Sequence, residues 1–98
     1  MNLFERLYDE QEDVKVQFIG FTTEKARYDF GIVYTNMFFG KPLVVCMQTG
    51  RSTLMCAEEA ENVEDIMKIF QIHCEDEAKD LSLFFSEKLP TMSFEAQY

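Results

Sequence analysis

The chain has 98 residues, of which 47% are hydrophobic and 14% aromatic, and its formal net charge is −9. This composition suits one domain, residues 1 to 98, that buries about two-thirds of its unfolded surface without a metal or disulfides. No run in the sequence approaches the roughly 18 uncharged apolar residues that a membrane span requires, and the acidity disfavours nonspecific binding to nucleic acid. The N-terminus also lacks the pattern of a signal peptide, so we predict a cytoplasmic protein that binds neither membrane nor nucleic acid.

The first 13 residues combine apolar side chains at helix-like spacing with a run of acids. The apolar side chains are Leu3, Phe4, Leu7 and Tyr8. This pattern predicts either a short helix or a flexible acidic arm ahead of the first strand.

Four apolar segments between residues 14 and 56 predict a sheet of four strands. They are residues 14–21, 27–35, 43–48 and 52–56. The first alternates Val16 and Phe18 with polar residues, as a half-buried strand does, and the third is apolar enough for a strand covered on both faces. In the second, one alternating set is the predicted core face: Tyr28, Phe30, Ile32 and Tyr34. The links are short, which favours an antiparallel meander.

Two amphipathic helices are predicted between residues 62 and 89. Asn62 can cap the first, over residues 63–72, and the second runs from about Glu75 to Leu89, before Pro90. Residues 90 to 98 form a polar tail. The predicted fold is a two-layer α+β domain, in which a four-stranded antiparallel meander is followed by two amphipathic helices packed on one face.

The charge is segregated along the chain. Residues 1 to 13 hold five acids and one base, residues 14 to 56 hold two acids and five bases, and residues 57 to 98 hold eleven acids and three bases. The strand-rich middle is therefore mildly basic between two acidic flanks. This distribution allows the middle segment to meet a small anion or an acidic surface of a partner.

Basic and amide side chains near the predicted turns could bind such an anion. The candidates are Arg27, Lys41, Gln48 and Arg51. Their cationic groups suit an anionic ligand, which Gln48 would orient. The alternative is that they are ordinary turn residues that keep the strand ends soluble. A strand of six residues would hold Lys41 and Arg51 roughly 20 Å apart, which argues against one pocket for both.

Three cysteines, at spacings without closely spaced pairs, predict free thiols rather than disulfides. Cys46, Cys56 and Cys74 could ligate zinc with His73, but the missing pairs argue against it, and we predict no metal and no cofactor. Cys74 lies before a helix and beside His73, the outline of a reactive thiol, although the three acids that follow oppose a thiolate. The alternative is an ordinary residue at a helix start.

Three short segments in the middle of the chain resemble a known family. They are GIVYT at 31–35, FGKPLV at 39–44 and QTGR at 48–51. The chain resembles a small family of cytosolic proteins of about 100 residues from Gram-positive Firmicutes bacteria, over about Leu7 to Leu89. The resemblance implies a bacterial cytoplasmic source and a small α+β domain. That family has no assigned activity, so no catalytic residue follows from it.

Two functions agree with these observations. The first is a non-enzymatic protein–protein interaction or regulatory module whose partner is another protein or a second copy. Segregated charge favours it, as do ten Phe and six Met, some of which must lie near the surface. The alternative is a small anionic-ligand-binding domain or minor enzyme that uses the basic residues near the turns. The sequence contains no recognised catalytic set, which favours the first.

Overall fold

The computed structural model describes residues 3 to 92, in which a sheet precedes a layer of helices. The strands are β1 (Lys15–Thr22), β2 (Arg27–Tyr34), β3 (Leu43–Cys46) and β4 (Ser52–Leu54). The helices are α1 (Ala57–Ala60), α2 (Val63–Phe70) and α3 (Glu75–Lys88). Each strand pairs antiparallel with the next, in the order β1-β2-β3-β4. The predicted α+β fold with a four-stranded meander is confirmed.

The core lies between one face of the sheet, the inner face, and the helices. Phe30 of β2 is fully buried, and its ring meets Phe70 of α2 and Phe85 of α3 edge-on, with centroids 5.2 and 5.1 Å apart. Tyr28 and Tyr34 pack against the same cluster from the two ends of β2. Edge-on aromatic contacts add to the free energy of apolar burial. The predicted core face of β2 is confirmed.

Within residues 3 to 92, the helical layer contains three helices where the sequence predicts two. The additional helix, α1, has only four residues, too few for an apolar period to be recognised. Its first turn is held by the carboxylate of Glu59, which accepts the Cys56 backbone N–H at 3.1 Å. α2 begins after Asn62, whose Oδ1 accepts the Asp65 backbone N–H at 3.1 Å, as the predicted cap requires.

Residues 3 to 14 lie in neither helix nor strand, and we call residues 3 to 11 the arm. Glu12 attaches the arm to the end of β2: its two carboxylate oxygens accept the Thr35 hydroxyl and the Asn36 backbone N–H, the latter at 2.7 Å. These hydrogen bonds, that of Thr35 first, lower the pKa of Glu12. The arm's large apolar side chains remain exposed: Leu3, Phe4, Leu7 and Tyr8.

The predicted tail is only partly described. Residues 93 to 98, which hold most of it, lie outside the described range. Within residues 3 to 92, no helix has the length and apolar character needed to cross a lipid bilayer.

Candidate functional site

The face of the sheet turned away from the helices, here called the outer face, is largely apolar. The register of the strands sets its side chains in rows. One row crosses all four strands and contains Val16, Val33, Leu43 and Leu54. The next row contains Phe18, Gly31, Val45 and Ser52. An antiparallel sheet with helices on one face only usually presents polar side chains on the other, so this face is unusual.

β1 turns its alternating apolar residues outward. Val16 and Phe18 lie on the outer face, where the Phe18 side chain is 72% exposed, whereas Ile19 and Phe21 pack against the core. The apolar residues whose alternation predicts a half-buried strand therefore lie on its exposed face, not on the buried one. Both faces of β1 carry apolar residues, so a period of two cannot show which face the helices cover.

β3 lies inside the sheet but is covered on one face only. Val44 and Cys46 are buried, whereas Leu43 and Val45 are half-buried and Met47, just after the strand, is 53% exposed. The prediction that this strand is covered on both faces is wrong for the structure of residues 3 to 92. Its continuous apolar run instead reflects an apolar outer face without a second layer.

Gly31 allows the outer face to pack closely at its centre. A Cβ atom at this position would lie 3.3 Å from Cε1 of Phe18 and 3.7 Å from Sδ of Met47. The ring of Phe18 and the thioether of Met47 therefore lie directly over the backbone of β2. The outer face thus carries an aromatic ring and a thioether close to one backbone position.

The apolar surface continues into a groove at one end of the sheet. The groove has a volume of about 420 Å³, and its apolar lining consists of Val14, Val33, Phe38, Leu43 and Leu54. Phe38 and Phe39 belong to the loop between β2 and β3 and adopt left-handed backbone angles, with φ of 54° and 64°. Bulky residues rarely adopt this conformation, which costs roughly 1–3 kcal/mol each and is concentrated at functional sites. Phe39 is 85% exposed.

Arg27 and Gln48 meet at the other end of the outer face, on the carboxylate of Asp29. Arg27 donates from Nε at 3.0 Å and from Nη2 at 3.3 Å, and Gln48 donates from Nε2 at 2.6 Å. The Arg27 hydrogen bonds, followed by that of Gln48, hold the pKa of Asp29 below its usual value. Two of the predicted ligand-binding residues thus already bind a carboxylate of this chain.

Lys41 and Arg51 lie at opposite ends of β3, as the meander requires. Lys41 places Nζ 3.0 Å from Oε2 of Glu59. Burial raises the pKa of Glu59, but the hydrogen bonds from Lys41 and the Cys56 amide outweigh this and lower it overall. Arg51 is exposed in the turn before β4. The four predicted residues therefore do not converge on one site, and a role in binding an anion stays a prediction.

The three cysteines are free thiols. Cys46 and Cys56 are buried, and burial raises the pKa of the Cys56 thiol, which disfavours its thiolate. Cys74 is half-buried at the start of α3, and its reactivity stays a prediction. Among residues 3 to 92, no three or more His, Cys, Asp and Glu side chains are grouped to hold a metal ion.

The sheet, its helical layer and its outer face define the class of protein: a two-layer α+β domain with one apolar sheet face exposed. The chain belongs to the SAV0927-like family, whose model matches residues 7–87. No curated protein matches the chain. The matched residues agree with the expected resemblance over about Leu7 to Leu89. The family match assigns no activity, and the bacterial, cytoplasmic source stays a prediction.

Proposed function

We propose that the protein is a non-enzymatic interaction module, acting in the bacterial cytosol, whose docking surface is the outer face of its sheet. The observation that supports this is the apolar row of Val16, Val33, Leu43 and Leu54, together with Phe18, on a face that nothing in residues 3 to 92 covers. The other face already packs on the helices, so the row does not serve the core. Contiguous exposed apolar surface on a small domain is typical of a protein-binding site.

The size of the exposed surface supports the proposal. Its most exposed large side chains are Val16, Phe18, Phe38 and Met47. An aromatic side chain offers about 150–250 Å², so these four residues together expose on the order of 400 Å². This area is comparable with the largest apolar patch on a typical monomer, which is often functional.

The outer face also has the layout of an interface. Its apolar rows lie beside a polar end, where Arg27, Asp29 and Gln48 satisfy one another's hydrogen bonds. Protein interfaces commonly combine an apolar centre with a polar rim of this kind. The alternative function, binding of a small anion, has less support because Arg27 and Lys41 are each paired with a carboxylate of the chain.

Site-specific photocrosslinking in the native cell tests the proposal. One full-length variant carries benzoylphenylalanine in place of Phe18, and a matched control carries it in place of Leu83, which is 59% exposed on α3. We expect a discrete crosslinked species, to another protein or to a second copy, at position 18 and not at position 83. Equal or absent crosslinking at the two positions would contradict a docking role for the outer face.

A further inference from the structure

We propose that the occupant of the outer face is the arm of a second copy, so that two copies exchange arms around a two-fold axis. This inference rests on the docking function proposed for the outer face. It goes further by naming the partner, the segment that docks and the symmetry of the complex. In a two-fold complex each copy contributes one arm and receives one, so both contacts are the same.

The arm is the second exposed apolar feature of the chain. Phe4 is 88% exposed and Leu7 is 87% exposed, so the arm does not cover the sheet of its own copy. One copy therefore leaves both an apolar face and an apolar segment in water. Because every copy carries both features, pairing of two copies buries them without any other protein.

The spacing of the arm residues fits docking as a short helix. Leu3, Phe4, Leu7 and Tyr8 lie three and four residues apart, which would put them on one stripe of a helix. In the single copy this segment is not helical. So short a helix is unstable alone and forms when its apolar stripe packs into a groove of a partner. The groove beside Phe38 has an apolar lining that could receive such a stripe.

The attachment at Glu12 puts the start of the arm next to that groove. Glu12 and Thr35, which are hydrogen-bonded to each other, both line the groove. A two-fold axis near this end of the sheet would therefore bring each departing arm to the groove of the other copy. The short connection from groove to arm favours exchange between neighbours over long-range binding.

Charge complementarity also favours this pairing. Residues 1 to 13 carry five acids and one base, whereas residues 14 to 56 carry five bases and two acids. Lys15 and Lys88 line an open depression of about 600 Å³ together with Val16, at the edge of the apolar row. The acids of an incoming arm would meet these ammonium groups, which steers association and fixes orientation.

The available area is sufficient for a stable dimer. The arm and the outer face together expose on the order of 1,000 Å² of apolar side-chain surface on each copy. A standard protein interface buries about 800 Å² on each partner. Arm exchange could therefore supply an interface of ordinary size from these two features.

Sedimentation equilibrium of full-length proteins tests the inference. We expect the wild-type chain to be dimeric, and the arm variant Phe4→Ser/Leu7→Ser and the face variant Phe18→Ser/Met47→Ser each to raise the dissociation constant about 100-fold. Leu83→Ser removes a comparable exposed side chain from α3 and should remain dimeric. An equimolar mixture of the arm and face variants should associate more tightly than either variant alone, with a dissociation constant about 10-fold above wild type, because one of its two contacts joins an intact arm to an intact face.

The possible outcomes distinguish arm exchange from the more general docking function proposed for the outer face. An arm variant that dimerises like the wild type, or a mixture that associates no more tightly than either variant alone, would overturn arm exchange and leave the docking role of the outer face intact. A monomeric wild type would also overturn it, in favour of another protein on the outer face. A face variant that changes neither the association state nor the crosslinks in the native cell would overturn the docking function itself.

A direct measurement avoids dependence on the variants. In a mixture of isotope-labelled and unlabelled wild-type chains, isotope-filtered NMR should detect contacts between Leu7 of one copy and Val16 or Val33 of the other. A dimer without these contacts would contradict the exchange. Circular dichroism checks that the serine variants are folded, as expected for substitutions of exposed side chains.

Discussion

Phe39 combines an exposed aromatic ring with a backbone conformation that aromatic residues seldom adopt. Its φ is 64°, that of Phe38 is 54°, and Gly40 follows with φ of 77°. A turn between residues 36 and 42 was foreseeable from its Asn, Gly and Pro. Left-handed angles at two phenylalanines were not, because Gly40 and Asn36 are the residues that usually take them.

The backbone strain at Phe39 predicts a difference between two truncations. Phe39→Gly and Phe39→Ala both remove the exposed ring, but only glycine relieves the left-handed φ. We expect Phe39→Gly to have a free energy of unfolding about 1 kcal/mol higher than Phe39→Ala, measured by urea denaturation. Equal stabilities would show that the loop relaxes in the alanine variant.

At the scale of elements, the side chains at the two ends of α2 determine where the helix begins and ends. Asn62 caps the N-terminus, and Gln71 ends the helix in a left-handed conformation, with φ of 54°. Asn62→Ala should lower the free energy of unfolding by about 1 kcal/mol, because the Asp65 amide loses its acceptor. Asn62→Asp keeps an acceptor and is the matched control. If both variants lose the same stability in thermal denaturation, the cap is not the cause.

Glu77 joins α3 to the hairpin of β1 and β2. Its two carboxylate oxygens accept the hydroxyls of Thr23 at 2.6 Å and Tyr28 at 2.7 Å. These hydrogen bonds, that of Thr23 first, lower the pKa of Glu77 below 4.5. Burial, and then the Glu77 hydrogen bond, raise the pKa of Tyr28 to about 12.

These two shifts predict how stability depends on pH. Since the pKa of Glu77 is lowered in the folded state, its contribution is complete above pH 4.5 and is lost as the pH falls through the folded pKa. The contribution of Tyr28 is complete below pH 10 and is lost as the pH rises towards 12. Urea unfolding of wild type and Glu77→Gln should therefore differ most near neutral pH and converge in acid. A difference that persists unchanged at low pH would contradict this assignment.

The sequence was sufficient to predict most strands and helices, but not which face of each strand the helices cover. Period-two alternation and short links were sufficient for four strands, and the Asn62 cap was sufficient for α2. The sequence could not show that Val16 and Phe18 lie opposite the helices, because Ile19 and Phe21 supply β1 with a second apolar set. Nor could it show α1, whose four residues depend on a hydrogen bond from Cys56 to Glu59.

At the scale of the whole molecule, Phe30 connects the sheet to two helices. It is fully buried between Phe70 and Phe85. Phe30→Ala should lower the free energy of unfolding by about 3–5 kcal/mol, a large part of the 5–15 kcal/mol typical of a small domain. Phe39→Ala makes the same truncation at an exposed position and should cost far less. Chemical denaturation of the two variants checks this, and similar losses would contradict the position of the core.

The candidate site was harder to predict than the fold, because the residues that form it come together only when neighbouring strands are paired in the correct register. Arg27 and Gln48 were foreseeable as turn residues, but their shared contact with Asp29 depends on how β2 and β3 are aligned. The row from Val16 to Leu54 likewise exists only once three pairs of strands are in register. The basic residues and glycines of the sequence pointed to the turns, whereas the exposed apolar row lies between them.

The strands lie in the sheet in the same order as in the chain, and this affects how the protein can fold while the ribosome makes it. Every strand pairs with its neighbour in sequence, so the sheet from Lys15 to Leu54 can form before α2 and α3 have been made. At roughly 5–20 residues per second, the ribosome needs a few seconds to add the helices. During that interval both sides of the nascent sheet are open to water and to other nascent chains. The inner face stays open only until α2 and α3 cover it, so a chaperone that shields the nascent sheet is needed there for those few seconds.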